Sequence, residues 1–481
     1  MAEIEEEKQE EHEIDPAAVE AGEEEQTPVE KTAEEHLGLT DDFIRDIIAL
    51  LEEEQAEEIR TACRDLSDPD AAELLTKVGP LRHRLVDILE DDLSPEVFSY
   101  LGYEVLNDVL GYMSGPHIAS IVNELDSDDA INLINELDEG RRAEILRHLS
   151  RKVRAVVEEG LNFPEESAGR LMQREFVAIP QFWTVGKTAD YLRAAADALP
   201  DKFYDIFIVD PMHKYVGSVA LSDVLCTQRS LKMESILDEN HVKIPATMDQ
   251  EQVAHLFRRK DLLSAPVVDD VGRLIGVITV DDIVDVIDAE AEEDLLSMGG
   301  VTDSDIYSST LSTARARSSW LMLNLLTAFI AVSVISVFEA SIEQIVALAV
   351  LMPIVASMGG NAGTQTLTVA VRALATKELS SANAWRVIAK ECRVGMLNGT
   401  FFAVLLGVIV WWWFDNLTLG LVIGAALIIN LLIAGFFGAF VPITLHRFKI
   451  DPAPAAGIFL TMMTDVIGFF AFLGLATFFL L

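Results

Sequence analysis

Apolar residues along the chain fall into three successive patterns. From residue 37 to 166 they recur at helical spacing in short segments: Phe43-Ile44-Ile47-Ile48-Leu51, Leu85-Ile88-Leu89, Ile118-Ile121-Val122-Leu125 and Ile145-Leu146-Leu149. Such spacing predicts short amphipathic helices, and Asp or Ser stands before several of them as an N-cap. Residues 66–75 resemble residues 125–134, so a superhelical stack of helical hairpins is expected. From 167 to 290 β-branched residues alternate with polar ones, and the stretch is duplicated. Ile208-Val209-Asp210 matches Val267-Val268-Asp269, Gly217-Ser218-Val219 matches Gly276-Val277-Ile278, and Ser222-Asp223-Val224 matches Asp281-Asp282-Ile283, all at an offset of 59. Each copy reads as strand, polar turn, strand, then an Asp-opened helix. Five long apolar segments follow, near 320–338, 342–374, 387–414, 417–445 and 453–480. Each is long enough to cross a bilayer.

Charged residues between these segments alternate by side. Arg315 and Arg317 precede the first, and Glu339 and Glu343 flank the turn to the second. Arg372, Lys377, Arg386, Lys390 and Arg393 lie between second and third, Asp415 between third and fourth, Arg447 and Lys449 between fourth and fifth. Every basic cluster therefore falls on one side. The positive-inside rule predicts a multi-pass protein of the cell (inner) membrane, with its N-terminus in the cytoplasm and its C-terminus outside. Trp411, Trp412 and Trp413 would mark the outer interface, Trp320 and Trp385 the inner one.

The formal net charge is −42, whereas residues 311–481 hold nine Lys or Arg against seven acids. The negative charge thus sits in the soluble part, which excludes nucleic acid as a partner and suits cations. Residues 1–36, with fifteen acids and two lysines, are expected to be a disordered tail; without an apolar core they are no signal peptide. Cys63, Cys226 and Cys392 are too scattered for a metal or disulfide framework, as in a reducing cytosol. The expected domains are a helical N-domain (37–166), two α/β repeats (167–230 and 231–290), a connector helix (291–318) and a membrane domain (319–481). Asp303 and Asp305 would cap the connector, with Ile306, Tyr307 and Leu311 as its apolar edge.

Chemistry concentrates in a few places. The last apolar segment holds one carboxylate, Asp465, near its middle, with Thr461 and Thr464 before it and Gly468 a turn after. A charge there costs about 2.5–3.5 kcal/mol on insertion scales, so an ion path is the natural use. In the second segment Gly359-Gly360-Asn361-Ala362-Gly363-Thr364-Gln365 allows close helix packing and brings polar atoms, Asn361 and Gln365 among them, to a cavity. After the second repeat, Glu290, Glu293 and Asp294 share a helix face. That face is either simply solvated or a place for a hard divalent cation.

The duplicated region resembles a tandem pair of CBS domains, on the strength of Gly276-Val277-Ile278-Thr279-Val280-Asp281-Asp282. Thr279 and Asp282 fit the family's ribose-contacting pattern, which admits ATP; the first copy has Ala220 in place of the Thr. Met358-Gly359-Gly360-Asn361, Gln365, Arg372-Ala373-Leu374, Asp451-Pro452-Ala453 and Asp465 with Gly468 resemble the MgtE family of magnesium transporters. So do Arg317, Trp320 and Leu321 of the connector and Glu290, Glu293 and Asp294. The resemblance implies a homodimer in the lipid bilayer, with an Mg²⁺ pore on the two-fold axis lined by Asp465, Thr461, Thr464, Gly468, Asn361 and Gln365. It further implies import of Mg²⁺ into the cytoplasm, shut off when cytosolic Mg²⁺ binds acidic residues and the connector helices plug the pore. The carried-over ligands are Glu290, Glu293, Asp294 and Asp451, then Glu251, Asp261, Asp282 and Asp285, and Glu96 and Asp128 of the N-domain. A broader divalent-cation transporter, passing Mn²⁺ or Co²⁺, and a membrane-anchored nucleotide or metal sensor are the competing readings. A secondary transporter would need an internal repeat that five segments do not supply. No Walker loop, nucleophile elbow or metal-hydrolase motif points to an enzyme.

Overall fold

The computed structural model describes residues 38–481 apart from 91, 201, 239–241, 302–309 and 381. The acidic tail and Asp303, Asp305, Ile306 and Tyr307 of the connector lie outside the described residues. The chain divides into two compact units, one ending at Ile121 and the other running from Val122 to Leu481.

The first unit is helical: Asp41–Glu52, Ala56–Cys63, Asp68–Lys77, Arg82–Leu89 and Tyr103–Tyr112, with a 3₁₀ turn at Pro95–Tyr100. Helices this short are marginal alone and form because each buries an apolar face. Ile47, Leu51, Ile59, Leu74, Leu85, Phe98 and Leu110 supply that core. Thr40 and Ser67 cap helix starts through their hydroxyls. Buried Arg82 is neutralised by Asp108 and donates to the Leu75 carbonyl at 2.7 Å.

The second unit opens with Ser127–Glu136, Glu139–His148 and Arg151–Gly160, the latter two capped by Asp138 and Ser150. The matching stretches 66–75 and 125–134 both lead into ten-residue helices entered from a Ser or Asp. Two three-stranded sheets follow. β1 (Ala178–Pro180), β2 (Asp205–Val209) and β3 (Tyr215–Ala220) form the first; β4 (Ile244–Pro245), β5 (Ser264–Val268) and β6 (Leu274–Thr279) form the second. In each the outer pair is parallel and the hairpin antiparallel. The duplication extends to detail. Asp205 faces Ala220 as Ser264 faces Thr279, and both hairpins shift register at the same place, Ile208/Val209 and Val267/Val268. Asp210 accepts from the Met212 and Lys214 N–H groups as Asp269 does from Val271 and Arg273. One turn differs: His213 takes a left-handed φ of 64° where the second copy has Gly272 at 84°.

The boundary between copies is not the simple cut at 230/231. Ala168 and Met172 belong to the core of the second sheet, and the Gln173 N–H donates to Val277 O at 2.7 Å. Met233 belongs to the core of the first, where Thr184 bridges Lys232. Each copy is thus completed by a segment lying in the other's expected range.

β6 runs into the exit helix Val280–Met298, which stops at Gly299. The first membrane helix is Thr310–Ser336, so the end of the expected connector, 310–318, is continuous with it. The others are Ala347–Ala375, Ala384–Phe414, Leu417–Arg447 and Pro452–Leu480, with a short helix Glu339–Gln344 before the second. All five are long and apolar enough to cross a membrane. The third and fourth form a tight hairpin, turned by Asp415 at a φ of 49° and capped by Asn416 on Leu419 N–H at 3.0 Å. Their backbones touch where side chains are missing: a Cβ at Gly395 would collide with the Leu431 carbonyl, and one at Gly407 would lie 3.0 Å from Gly420 O. Small residues let membrane helices approach this closely.

Gly395→Leu is expected to lower the unfolding midpoint in detergent, at a cost of about 1–3 kcal/mol for overpacking. Gly360→Ala, with nothing within 4 Å of the added Cβ, should leave it in place; scanning fluorimetry of both variants checks this.

Candidate ion path and acidic regulatory site

Asp451 begins the last membrane helix. Its carboxylate accepts from the Ala453 N–H at 3.0 Å, and Pro452 fills the first helical position, where a missing N–H costs nothing. Further along, two faces separate. Thr461 is exposed and Asp465 half-buried. Thr464 is fully buried, its hydroxyl donating to Leu460 O at 3.1 Å and Thr461 O at 3.0 Å. Gly468 is buried against Asn430 of the fourth helix. The structure therefore keeps Thr461 with Asp465 on the open side, and places Thr464 and Gly468 in the packing between helices.

The second membrane helix carries a polar stripe. Ser357, Asn361, Thr364, Gln365, Thr368 and Arg372 are all exposed, at spacings that keep them on one side of a helix. Thr364 and Thr368 return their hydroxyls to Gly360 O and Thr364 O at 3.0 Å. The opposite face, Val355, Gly359, Gly363 and Leu367, is buried. It packs on the last helix, with Leu460 filling the space beside Gly363. A polar stripe open to hydrocarbon is unfavourable and calls for water or a second protein surface.

On the soluble side, Glu290, Glu293 and Asp294 stay together on the exit helix. Glu290 accepts from Gln250 Nε2 at 2.9 Å; burial pushes its carboxyl up, and Glu251, Glu293 and Glu166 add to the rise. Burial likewise raises Glu293, followed by Glu166 and Asp451, and raises Asp294, followed by Asp451 and Glu251. Glu251 and Asp451 are thus brought into this set. Asp261 is not: it sits in left-handed conformation at the far end of the helix Gln250–Lys260, about 15 Å from Glu251 by helical rise.

A second set gathers at the start of the exit helix. Asp128 is 5% exposed, and its carboxyl is raised well above the usual range by burial, then by Asp282 and Asp129. Asp282 is pushed up to about 7, by burial first and then by Asp281 and Asp129. Asp285 is raised by burial, with Asp288 and Asp281 adding to it. Thr279 and Asp282 form a capping box, the Thr279 hydroxyl donating to Asp282 Oδ2 at 2.9 Å, and Gln173 Nε2 reaches the same oxygen at 3.4 Å. Glu96 lies in the first unit, in the 3₁₀ turn, where Ser94 caps that turn and donates to its carboxylate. Among the described residues no three ligating side chains close around one point. The two sets are crowded carboxylates able to share hydrated cations, not a preformed cage.

Glu166, Asp129, Asp281 and Asn430 join these places without having been singled out in the sequence. Glu166 ends the helical region, and only the fold shows that its carbonyl accepts from Gln250 N at 2.8 Å beside the exit helix. For Asn430 a signal existed: no other polar side chain lies between Thr418 and Thr444 on the fourth apolar segment.

Comparison with known proteins agrees with this layout. A family model described as a divalent cation transporter matches residues 352–475, the MgtE intracellular N domain matches 69–166, and a CBS domain matches 233–289. The magnesium transporter MgtE of Bacillus subtilis is 33% identical over 445 residues, covering 92% of this chain and 98% of that one. A crystal structure of the soluble part of a magnesium transporter shares 30% identity, covers 52% of this chain and 99% of its own, and gives a TM-score of 0.46. A cytosolic domain of the Mg²⁺ channel MgtE in complex with ATP shares 28% identity, covers 48% and 99%, and gives a TM-score of 0.35. With a relative matched along nearly its whole length, the chain belongs to the MgtE family of magnesium transporters.

Proposed function

We propose that the protein imports Mg²⁺ through a path formed by two copies of its membrane domain, and that cytosolic Mg²⁺ closes the path. One observation carries this reading: the polar stripe of the second helix, Thr461 and part of Asp465 are all left open by a single chain. A second copy related by a two-fold axis would cover them and set one Asp465 opposite another. Mg²⁺ releases water reluctantly, so two carboxylates holding a hydrated ion through water suit it, and their charge repels anions. Asn361, Gln365 and Thr461 would offer further polar contacts. Thr464 and Gly468 would serve by holding Asp465's helix in place.

For closure, Glu290, Glu293, Asp294, Asp451 and Glu251 form one Mg²⁺ set, and Asp128, Asp282 and Asp285 another. Without the ion these carboxylates repel and loosen the soluble domains. With it they draw together and bring the connector helices over the path. The side on which the basic loops fall favours an N-terminus in the cytoplasm and a C-terminus outside, and in that orientation the acidic sets would meet cytosolic Mg²⁺. ATP enters the proposal only at Thr279 and Asp282, where it would have to displace Gln173.

Asp465→Asn is expected to reduce Mg²⁺ uptake into proteoliposomes at least about tenfold, as a lost pore charge should; undiminished uptake refutes the path. Cysteines at Asn361 or Thr461 should cross-link between copies in the membrane, and a chain that stays monomeric under oxidation removes the two-fold pore. Glu290→Gln with Asp294→Asn should leave uptake running at internal Mg²⁺ that silences the wild type.

The acidic sets also predict a pH dependence. A carboxyl whose folded pKa lies above its unfolded one, about 3.9 for Asp, costs stability once ionised. For Asp282 that penalty is absent below the unfolded value and complete above about 7. Without Mg²⁺ the full chain in detergent should therefore melt higher at mildly acidic pH than at alkaline pH. Mg²⁺ competes with the protons, so its stabilising shift should be larger at the alkaline end; an equal shift at both ends argues against these ligands.

A further inference from the structure

Asn430 stands alone as a polar side chain on the central part of the fourth membrane helix and is 0% exposed. Its Nδ2 donates to the Val355 carbonyl of the second helix at 2.7 Å. Its Oδ1 has no hydrogen-bond partner among the described residues. The carboxamide lies between two glycines. A Cβ added at Gly468, on the last helix, would come within 2.9 Å of Nδ2 and 3.0 Å of Oδ1, and one added at Gly359, on the second, would run into the same amide. Gly359, Asn430 and Gly468 each lie 16 or 17 residues from the helix end nearest the basic loops. They form one layer, one helical turn from Asp465.

A leucine or alanine on the fourth helix would pack there without an orphaned oxygen, which hydrocarbon penalises. The amide does what neither can. It is flat enough to slide between two helix backbones and long enough to hold the second by a hydrogen bond.

We propose that Asn430 is a positioning residue: a wedge that sets the spacing between the Asp465 helix and the Gly359 helix, and through it the size of ion the path accepts. The proposal rests on the reading of Asp465 as part of the path. A change in spacing at this layer moves each Asp465 relative to its counterpart. Mg²⁺ and Ca²⁺ differ in ionic radius and in how readily they shed water, so the ratio of the two fluxes is the sensitive readout.

The test is uptake of Mg²⁺ and of Ca²⁺ into proteoliposomes containing the full chain. Asn430→Ala is expected to keep Mg²⁺ uptake within about threefold while the Mg²⁺/Ca²⁺ ratio falls about tenfold, because the width of the path and not its charge has changed. Closure by internal Mg²⁺ should be unaffected. Gly468→Ala, which pushes on the same amide, should also lower the ratio. The double variant should recover most of it, since the new methyl occupies the space the amide leaves. An unchanged ratio in folded Asn430→Ala, or two losses that merely add in the double variant, overturns the proposal. Should Asn430→Ala not fold, Asn430→Ser carries the same expectation and the same refutation. Asp465→Asn in the same assay separates the two readings. Full uptake there removes the path assignment, whereas lost uptake with an unchanged ratio in the Asn430 variants removes the wedge alone.

Discussion

Carboxylates crowded together in partial burial are the constraint on which the soluble half of the structure turns. Desolvation penalises each of them, and neighbouring carboxylates add to the penalty. Glu290, Glu293 and Asp294 face Glu166, Glu251 and Asp451; Asp128 faces Asp129 and Asp282. Arg82, by contrast, is buried with an acid beside it, which is how an ordinary buried charge is satisfied. On the proposed reading the charge of the acidic sets is met by the transported ion itself, which arrives and departs, so that the transporter measures what it delivers.

The membrane half meets a related problem by another route. Its helices are apolar over most of their length, and glycines bring the third and fourth into backbone contact. Some of its polar atoms are returned to their own helix, as at Thr364 and Thr464, one reaches across to a neighbouring helix, as at Asn430, and others are gathered on the open stripe of the second. A charge as costly as Asp465 persists in such a setting only where water or a partner surface meets it.

Much of this was legible before folding. Five spans, the excess of negative charge in the soluble part, and a duplication without gaps all follow from period and composition. The duplication held down to the matching register shifts at Ile208 and Val267. What was not legible has physical reasons. β1 and β4 have three and two residues, too few for alternation to be seen. Thr464 and Asp465 are adjacent in sequence, yet a 100° turn per residue puts one in the core and the other at its edge. Asn430 looked like an impurity in a greasy helix, and its meaning depends on two glycines that lie 71 residues before it and 38 after. Glu166 and Asp129 became members of acidic sets only through contacts between elements.

The exchange of segments between the two β repeats has a mechanical consequence. Ala168 and Met172 enter from the helical region and insert into the second sheet, while the chain does not build the first until afterwards; Met233 then closes the first core on the way to the second. Neither repeat can be pulled away without unthreading a strip of the other. The pair is therefore interlocked, and it should turn or tilt as one stiff lever. Displacement imposed near Ser127 or Glu175, which are joined by a 2.7 Å hydrogen bond, would reach the exit helix as rotation and not be absorbed at a hinge between the copies.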